Sequence, residues 1–158
     1  MLVGAYSERL YWVIRRLVLS HDDANDVLQN TFIKAWINLN DFQNKSKLST
    51  WLYRIATNEA LDFLRKQKTR QADSVEGNLS VASQLVADSF FDGDKTQAML
   101  QEAVAMLPEV QRTVFTLKYF EEMKYSEISR ILGTSEGALK ASYHLAVKKI
   151  YEYFNSHD

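Results

Sequence analysis

The chain has 158 residues, enough for one ordinary domain or two small ones, and its net charge is −1. It is 46% hydrophobic, with one proline and five glycines, a composition that favours helices around a real core over a sheet protein rich in tight turns. It has no cysteine, which excludes disulfides and thiolate metal sites.

Two amphipathic helices are predicted in the first forty residues. The first carries apolar residues at helical spacing at Leu10, Val13, Ile14, Leu17 and Val18. The second follows cap candidates at 21–23 and is expected to bury Val27, Leu28, Phe32, Ala35, Trp36 and Leu39. Charged residues interrupt every apolar run at the N-terminus, so neither a signal peptide nor a membrane span fits there. The expectation is an intracellular, soluble protein.

A polar, basic stretch from Asn40 to Leu48 is interpreted as an ordered loop before a long helix. That helix is predicted to begin at Ser49 or Thr50, because a hydroxyl residue suits the N-cap. Its inward residues are Leu52, Ile55, Ala56, Ala60, Leu61 and Leu64. Residues 45–70 hold seven Lys/Arg against two acids. This asymmetry indicates a basic patch of the kind that attracts nucleic acid, although a solvated basic helix also explains it.

Residues 71–95 are predicted to be a flexible acidic linker, since they show no sustained periodicity. Helical pattern resumes at 96–106, and Pro108 marks the start of another helix. That helix is expected to bury Val110, Val114, Phe115 and Leu117. The predicted fold is therefore all-α, with two small helical domains at 1–70 and 96–158.

The stretch from Tyr125 to Lys149 has the pattern of a helix-turn-helix. Gly133 stands at the turn, where a positive φ is commonly needed. Ser126 is predicted to cap the first helix, and Thr134 or Ser135 the second. The inward residues are Ile128, Leu132, Leu139, Tyr143 and Ala146. Such motifs place the second helix in the major groove of DNA, although an ordinary helical hairpin has the same spacing. With one cation in its first half, this helix would read DNA weakly by itself.

Three blocks together resemble the extracytoplasmic-function branch of the bacterial sigma-70 family. The first, "DANDVLQNTFIKAW", is similar to the helix that binds the clamp helices of the largest RNA polymerase subunit. The second, "FQNKSKLSTWLYRIATNEALDFLR", is similar to the promoter-melting loop and helix. The third, "LPEVQRTVFTLKYFEEMKYSEISRILGTSEGALKASYHLAVKKI", is similar to the C-terminal domain. The resemblance implies a transcription initiation factor that recognises minus-ten and minus-thirty-five promoter elements, promotes melting, and has no cofactor.

The resemblance implies a set of contact residues for each block. The residues implied to contact core polymerase are Asp26, Gln29, Asn30 and Ile33, with apolar Ile37 beside them. Minus-ten contact falls to Phe42, Lys45, Lys47, Ser49, Thr50, Arg54, Asn58 and Arg65. Asn58 matches a position that reads a promoter base, which suits an amide because it both donates and accepts. Minus-thirty-five contact falls to Ser135, Glu136, Lys140, Ala141, His144 and Lys148. Trp36 and Trp51 are expected in the core rather than as stacking platforms.

The chain also departs from the family pattern. Ser142 and Leu145 stand where the family commonly carries arginine, so the minus-thirty-five sequence is left open. The chain begins close to the first conserved helix, which predicts a shortened leading segment.

The partners implied are core RNA polymerase, at its clamp helices and β flap, promoter DNA, and an anti-sigma factor. The acidic linker is expected in the RNA-exit path of the polymerase. A stand-alone helix-turn-helix regulator is the alternative, which accounts for residues 96–158 only. No enzyme is indicated, because the three histidines are scattered and no phosphate loop or metal-ligand spacing is present.

Overall fold

The structure is a computed structural model, and it describes residues 2–42, 47–70 and 94–156. Every regular element within these ranges is helical, which confirms the all-α prediction. The chain divides into two units, Met1–Ala72 and Asp73–Asp158. Of the predicted linker, residues 71–93 lie outside the described residues. Its last two residues start a helix instead, because the Asp94 carboxylate accepts from the Gln97 N–H (2.9 Å) and caps it.

Three mutually packed helices form the first unit: α1 (Leu2–Val18), α2 (His21–Ile37) and α3 (Leu48–Arg70). A short 3-10 turn, Leu39–Asp41, follows α2. The core is built from Leu10, Val13, Ile14 and Leu17 of α1, Ala24, Val27 and Ala35 of α2, and Leu52, Ala56, Ala60 and Leu64 of α3. The apolar periodicity of α1 therefore identified its buried face correctly. So did that of α3, although α3 begins at Leu48, before the predicted start.

The buried face of α2 differs from the prediction. Trp36 is 79% exposed and Leu39 is 42% exposed. Val27 and Ala35 are buried as predicted, but they share the buried side with Ala24 and Thr31 rather than with Trp36 and Leu39. Thr31 is tolerated there because its hydroxyl donates to the Val27 carbonyl (2.8 Å). The cap is also one residue earlier than predicted, since the Ser20 hydroxyl accepts from the Asp23 N–H (3.4 Å).

The second unit contains α4 (Lys95–Ala105), α5 (Glu109–Phe115), α6 (Tyr125–Leu132) and α7 (Glu136–Ser156). A π-helical turn, Thr116–Phe120, continues α5. The long helix α7 packs against α4, α5 and α6. The core contains Val104, Leu107, Val114, Phe115, Leu117, Ile128, Ile131, Leu139 and Ala146. Pro108 precedes α5 as predicted. Val110 is 62% exposed, so its predicted burial is wrong.

Two arginines are buried among the residues that the structure describes. Arg15 is 1% exposed in the first unit, and Arg112 is 7% exposed in the second. The Arg112 guanidinium donates to the Leu107 carbonyl (3.0 Å), which ties α5 to the end of the α4 segment. Desolvation by this burial lowers the pKa of Arg112. Among the described helices, none is long and apolar enough to cross a membrane.

Candidate protein and nucleic-acid interfaces

The outer face of α2 combines polar and apolar side chains. Asp26, Gln29, Asn30 and Ile33 are all exposed, and their spacing of three or four residues places them on one helix face. Ile33 is 50% exposed, and Ile37, one turn further, is 69% exposed. Large apolar side chains exposed together are a common feature of surfaces that bind another protein. We call this surface, with Trp36 beside it, the α2 face.

Trp36 is the member of the α2 face that sequence reasoning missed. The sequence predicts it in the core because it continues the apolar series of Leu28 and Phe32 at intervals of four residues. The signal that identifies it is the period of Ala24, Val27, Thr31 and Ala35. Position 36 lies about 100° around the helix from Ala35, at the edge of that buried side.

An ion pair fixes α2 against α3. Lys34 of α2 and Glu59 of α3 form this pair, and the hydrogen bond with Glu59 raises the pKa of Lys34. The Glu59 side chain is far less exposed than that of Lys34. The α2 face and the outer face of α3 therefore lie on two helices that pack directly against each other.

The outer face of α3 is basic and carries an amide. Arg54, Asn58 and Arg65 are exposed, and intervals of four and seven residues place them on the same side of the helix. Arg65 also forms an ion pair with Asp62 (3.0 Å) on that side. Cations flanking an amide suit nucleic acid, because the cations attract phosphates while the amide pairs with a base edge. We call Arg54, Asn58 and Arg65 the α3 face.

The remaining predicted residues of this region lie around the start of α3. Lys47 is exposed, and Ser49 and Thr50 are half-buried in the first turn. The ring of Phe42 lies 5.2 Å from that of Trp51, so both half-buried rings pack on each other. Lys45 lies outside the described residues.

A closely bonded turn joins α6 and α7. Gly133 adopts φ 69°, as predicted, and its N–H donates to the Ser129 carbonyl (2.8 Å). The Ser129 hydroxyl donates to the Thr134 carbonyl (2.7 Å) across the turn. The Ser135 hydroxyl accepts from the Ala138 N–H (3.2 Å), which confirms Ser135 as the cap of α7.

The cap predicted for α6 is wrong. Ser126 is the second residue of the helix, and the Glu127 carboxylate accepts from the Lys124 N–H (3.1 Å). A carboxylate at this place is also stabilised by the positive end of the helix dipole. The sequence signal for it was an acid in the first turn of α6.

The solvent-facing side of α7 presents six predicted residues. Ser135, Glu136, Lys140, Ala141, His144 and Lys148 are all exposed. Leu139 and Ala146 lie on the opposite side and are fully buried. Two large apolar side chains of α7 are exposed as well, Leu145 at 45% and Val147 at 42%. We call the six predicted residues the α7 face.

Tyr125 at the start of α6 connects the α7 face to a second cation, which sequence reasoning did not find. The Lys140 ammonium lies 5.7 Å from the centroid of the Tyr125 ring. The Lys118 ammonium lies 4.5 Å from the same centroid. An ammonium over an aromatic ring is held by the ring quadrupole. Tyr125 therefore holds two lysine ammonium groups at the edge of the α7 face, which has few cations itself.

The described residues contain no group of three His, Cys, Asp or Glu side chains that a metal ion would need.

The comparison with protein families matches both units. The model of sigma-70 region 2 matches residues 2–70, and that of sigma-70 region 4 matches residues 97–150.

Relatives match over most of their length. The ECF RNA polymerase sigma factor SigW of Bacillus subtilis is 35% identical over 153 residues, covering 90% of this chain and 81% of that protein. The RNA polymerase sigma-H factor of Pseudomonas aeruginosa is 31% identical over 150 residues, covering 89% of this chain and 78% of that protein.

A solved structure is similar in fold. The sigma factor RpoE of Bartonella quintana, crystallised with the anti-sigma factor NepR, matches with a TM-score of 0.77. The match covers 97% of this chain and 94% of that chain, at 23% sequence identity.

Proposed function

The chain belongs to the sigma-70 family, in its extracytoplasmic-function branch, and from this premise we propose how its surfaces divide the work of starting transcription. Its function is that of a bacterial transcription initiation factor, which binds core RNA polymerase and directs it to promoters. In the proposed division, residues 1–70 bind the polymerase and the minus-ten element. Residues 96–158 bind the minus-thirty-five element, and residues 71–95 connect the two.

The α2 face is the proposed contact with the clamp helices of the polymerase. Ile33 and Ile37 supply apolar area that is removed from water on binding. Asp26, Gln29 and Asn30 supply hydrogen bonds around this area. An apolar centre with a polar rim is the usual anatomy of a specific protein interface.

The α3 face is the proposed contact with the opened minus-ten element. Its residues, together with Lys47 and the start of α3, form a basic helix edge. Asn58 reads a base edge of the single strand, because its amide offers a donor and an acceptor. Arg54 and Arg65 bind the backbone phosphates. Phe42, Lys45, Ser49 and Thr50 are assigned to the loop side of the same contact.

One observation supports this division above the others: the α2 face and the α3 face occur on two helices that the Lys34–Glu59 ion pair joins. One face has the composition of a protein interface, and the other that of a nucleic-acid interface. A unit so built holds polymerase and DNA at the same time, which an initiation factor requires.

The α7 face is the proposed reader of the minus-thirty-five element. In its first half only Lys140 is cationic, so the face supplies little phosphate affinity by itself. The polymerase supplies the missing affinity by holding the second unit at the promoter, with the β flap as the proposed contact.

An anti-sigma factor is a further proposed partner. The similar RpoE of Bartonella quintana was crystallised with the anti-sigma factor NepR. The exposed apolar residues of the α2 face suit such a partner, which would compete with the polymerase for them. The proposed location is the cytoplasm, where core polymerase acts.

A stand-alone helix-turn-helix regulator is not favoured, because residues 2–70 match sigma-70 region 2 and would have no task. Mobility shifts of DNA from upstream of the chain's own gene separate the two functions. We expect a retained complex only when chain and bacterial core polymerase are both present. Tight, sequence-specific binding by the chain alone contradicts the proposal.

A further inference from the structure

Gly137 occupies the first turn of α7, where the fold itself has no use for a glycine. Glycine is the poorest helix former after proline, because it loses the most backbone freedom on folding. Gly137 has an ordinary negative φ, so it is not needed for a left-handed conformation. A Cβ built on it meets no atom within 4 Å. Alanine at this position would therefore favour the helix and clash with nothing in the described structure.

Gly133 shows the contrast within the same motif. Its φ of +69° places it in the left-handed region, which side chains strongly disfavour. The turn therefore requires Gly133, whereas no contact among the described residues requires Gly137. We look for the reason for Gly137 in what α7 binds.

Gly137 lies at the end of α7 that would enter a major groove first. It follows the Ser135 cap and is exposed, and exposed Ala141 lies one turn further along the same side. The charged side chains of Glu136 and Lys140 flank this line. The surface between them carries no group larger than a methyl, so a partner can approach the helix backbone itself.

We propose that Gly137 is the point of closest approach between α7 and the promoter, where the helix backbone packs against the minus-thirty-five duplex. This rests on the proposed function of the α7 face. The side chain is absent because any larger group would hold the helix away from the bases. Gly137 is thus a positioning residue: it sets how deeply Lys140 and Ala141 reach into the groove.

The test uses two substitutions by strong helix formers, Gly137→Ala and Gly137→Leu, in the full chain. Each holoenzyme, assembled with bacterial core polymerase, is titrated with duplexes that the wild-type holoenzyme selects from a pool randomised in the minus-thirty-five window. Thermal unfolding of each free chain is followed by circular dichroism. Gly4→Ala is the matched control, because Gly4 lies in α1 and its added Cβ also meets nothing within 4 Å. Gly133→Ala controls for damage to the turn.

We expect Gly137→Ala to raise the midpoint of unfolding by about 2–4 °C while weakening duplex binding about five-fold or more. Gly137→Leu weakens binding further and keeps the chain at least as stable as the wild type. Gly4→Ala stabilises the chain without affecting binding, and Gly133→Ala destabilises it. Replacing a glycine that serves only the fold would not raise thermal stability and weaken duplex binding at the same time.

Two results overturn the inference alone. One is wild-type duplex binding by both Gly137 variants, and the other is a fall in their thermal stability, which would assign the glycine to the fold. A wild-type holoenzyme that selects no duplex overturns the proposed function itself, and the inference with it.

Discussion

The side chain of Asn58 is an amide on an edge of α3 that is otherwise basic. It is exposed, and Leu52, Ala56 and Ala60 form the buried side of the same helix. Its side chain therefore adds little to stability, since exposed substitutions usually change the free energy of unfolding by less than about 0.5 kcal/mol. What it offers is an amide, with two N–H donors and a carbonyl acceptor, exposed to solvent between two arginines.

We predict that Asn58→Ala impairs promoter opening while the affinity for core polymerase stays unchanged. Loss of one base-edge contact costs about 1–3 kcal/mol. Opening is measured by permanganate reactivity of unpaired thymines, and core affinity by fluorescence anisotropy of the labelled chain. Gln97→Ala removes an exposed amide from α4 and serves as the control. Loss of core binding in Asn58→Ala would contradict the role assigned to it.

The Tyr153 hydroxyl joins the end of α7 to α4. It donates to the Glu102 carboxylate (2.8 Å), and desolvation together with this hydrogen bond raises the pKa of Tyr153 to about 12. An unfolded tyrosine has a pKa of about 10. As the pH rises above 10 the unfolded state loses this proton first, so the contribution to stability is present below pH 10 and is lost between about 10 and 12.

We therefore predict that Tyr153→Phe lowers the free energy of unfolding by about 1 kcal/mol at neutral pH. The difference between wild type and variant shrinks as the pH rises above about 10. Urea titrations at several pH values measure it. A difference that stays constant up to about pH 11 would show that the hydroxyl does not titrate as the bond with Glu102 requires.

Buried arginines show where residue-level sequence reasoning stops. Arg15 is one of the charged residues that interrupt the apolar run of α1, yet it is 1% exposed. Nothing in the local pattern distinguishes it from Arg16. Its burial depends on how three helices meet, which is a property of tertiary packing. Long side chains of this kind are also able to place their stems among apolar neighbours.

The two sides of helix α2 have different surroundings. One side of this helix is packed on α1 and α3, and the other exposes Ile33, Trp36 and Ile37. The exposed side contributes little to folding because it stays in contact with water. Its apolar area is instead available to a partner.

We predict that Ile33→Asp reduces affinity for core polymerase about ten-fold or more, because a charge is then buried at an apolar contact. The midpoint of thermal unfolding should stay nearly unchanged, since Ile33 is half exposed. Val110→Asp is the matched control: it places the same charge at an exposed apolar position on α5. Unchanged core binding in Ile33→Asp, or equal losses in both variants, would remove the α2 face from the polymerase interface.

Helices with strongly periodic apolar residues were predictable, and the details of their ends were less so. The stripe of α1 and the turn at Gly133 followed from spacing and from the backbone freedom of glycine. The orientation of α2 did not, because Ala24 and Thr31 are too small or too polar to register as core residues. The π-helical turn after α5 also had no signal in the sequence pattern.

Part of the candidate site was likewise predictable from the sequence, and part was not. The exposure of Asn58 and of the α7 face followed from helical period, since each lies opposite a predicted apolar stripe. The cation pair at Tyr125 was not predictable, because Lys118 is seven residues before it and Lys140 fifteen residues after it. Such contacts between elements need the fold.

At the scale of the whole molecule, charge is distributed unevenly along a nearly neutral chain. Residues 45–70 hold seven Lys/Arg against two acids, and residues 71–117 hold two against seven. Phosphate affinity is thus concentrated in the first unit, while the α7 face has few cations. Two modest contacts held by one partner bind far more tightly than either alone. We therefore expect promoter binding by this chain to depend on the polymerase.

Run-off transcription with purified bacterial core polymerase tests this account most directly. The template is the DNA upstream of the chain's own gene, and core alone, chain alone and both together are compared. We predict a discrete transcript only when core and chain are combined, and its loss with Asn58→Ala. No transcript from the combined proteins, while the chain alone binds the same DNA tightly, would contradict the account.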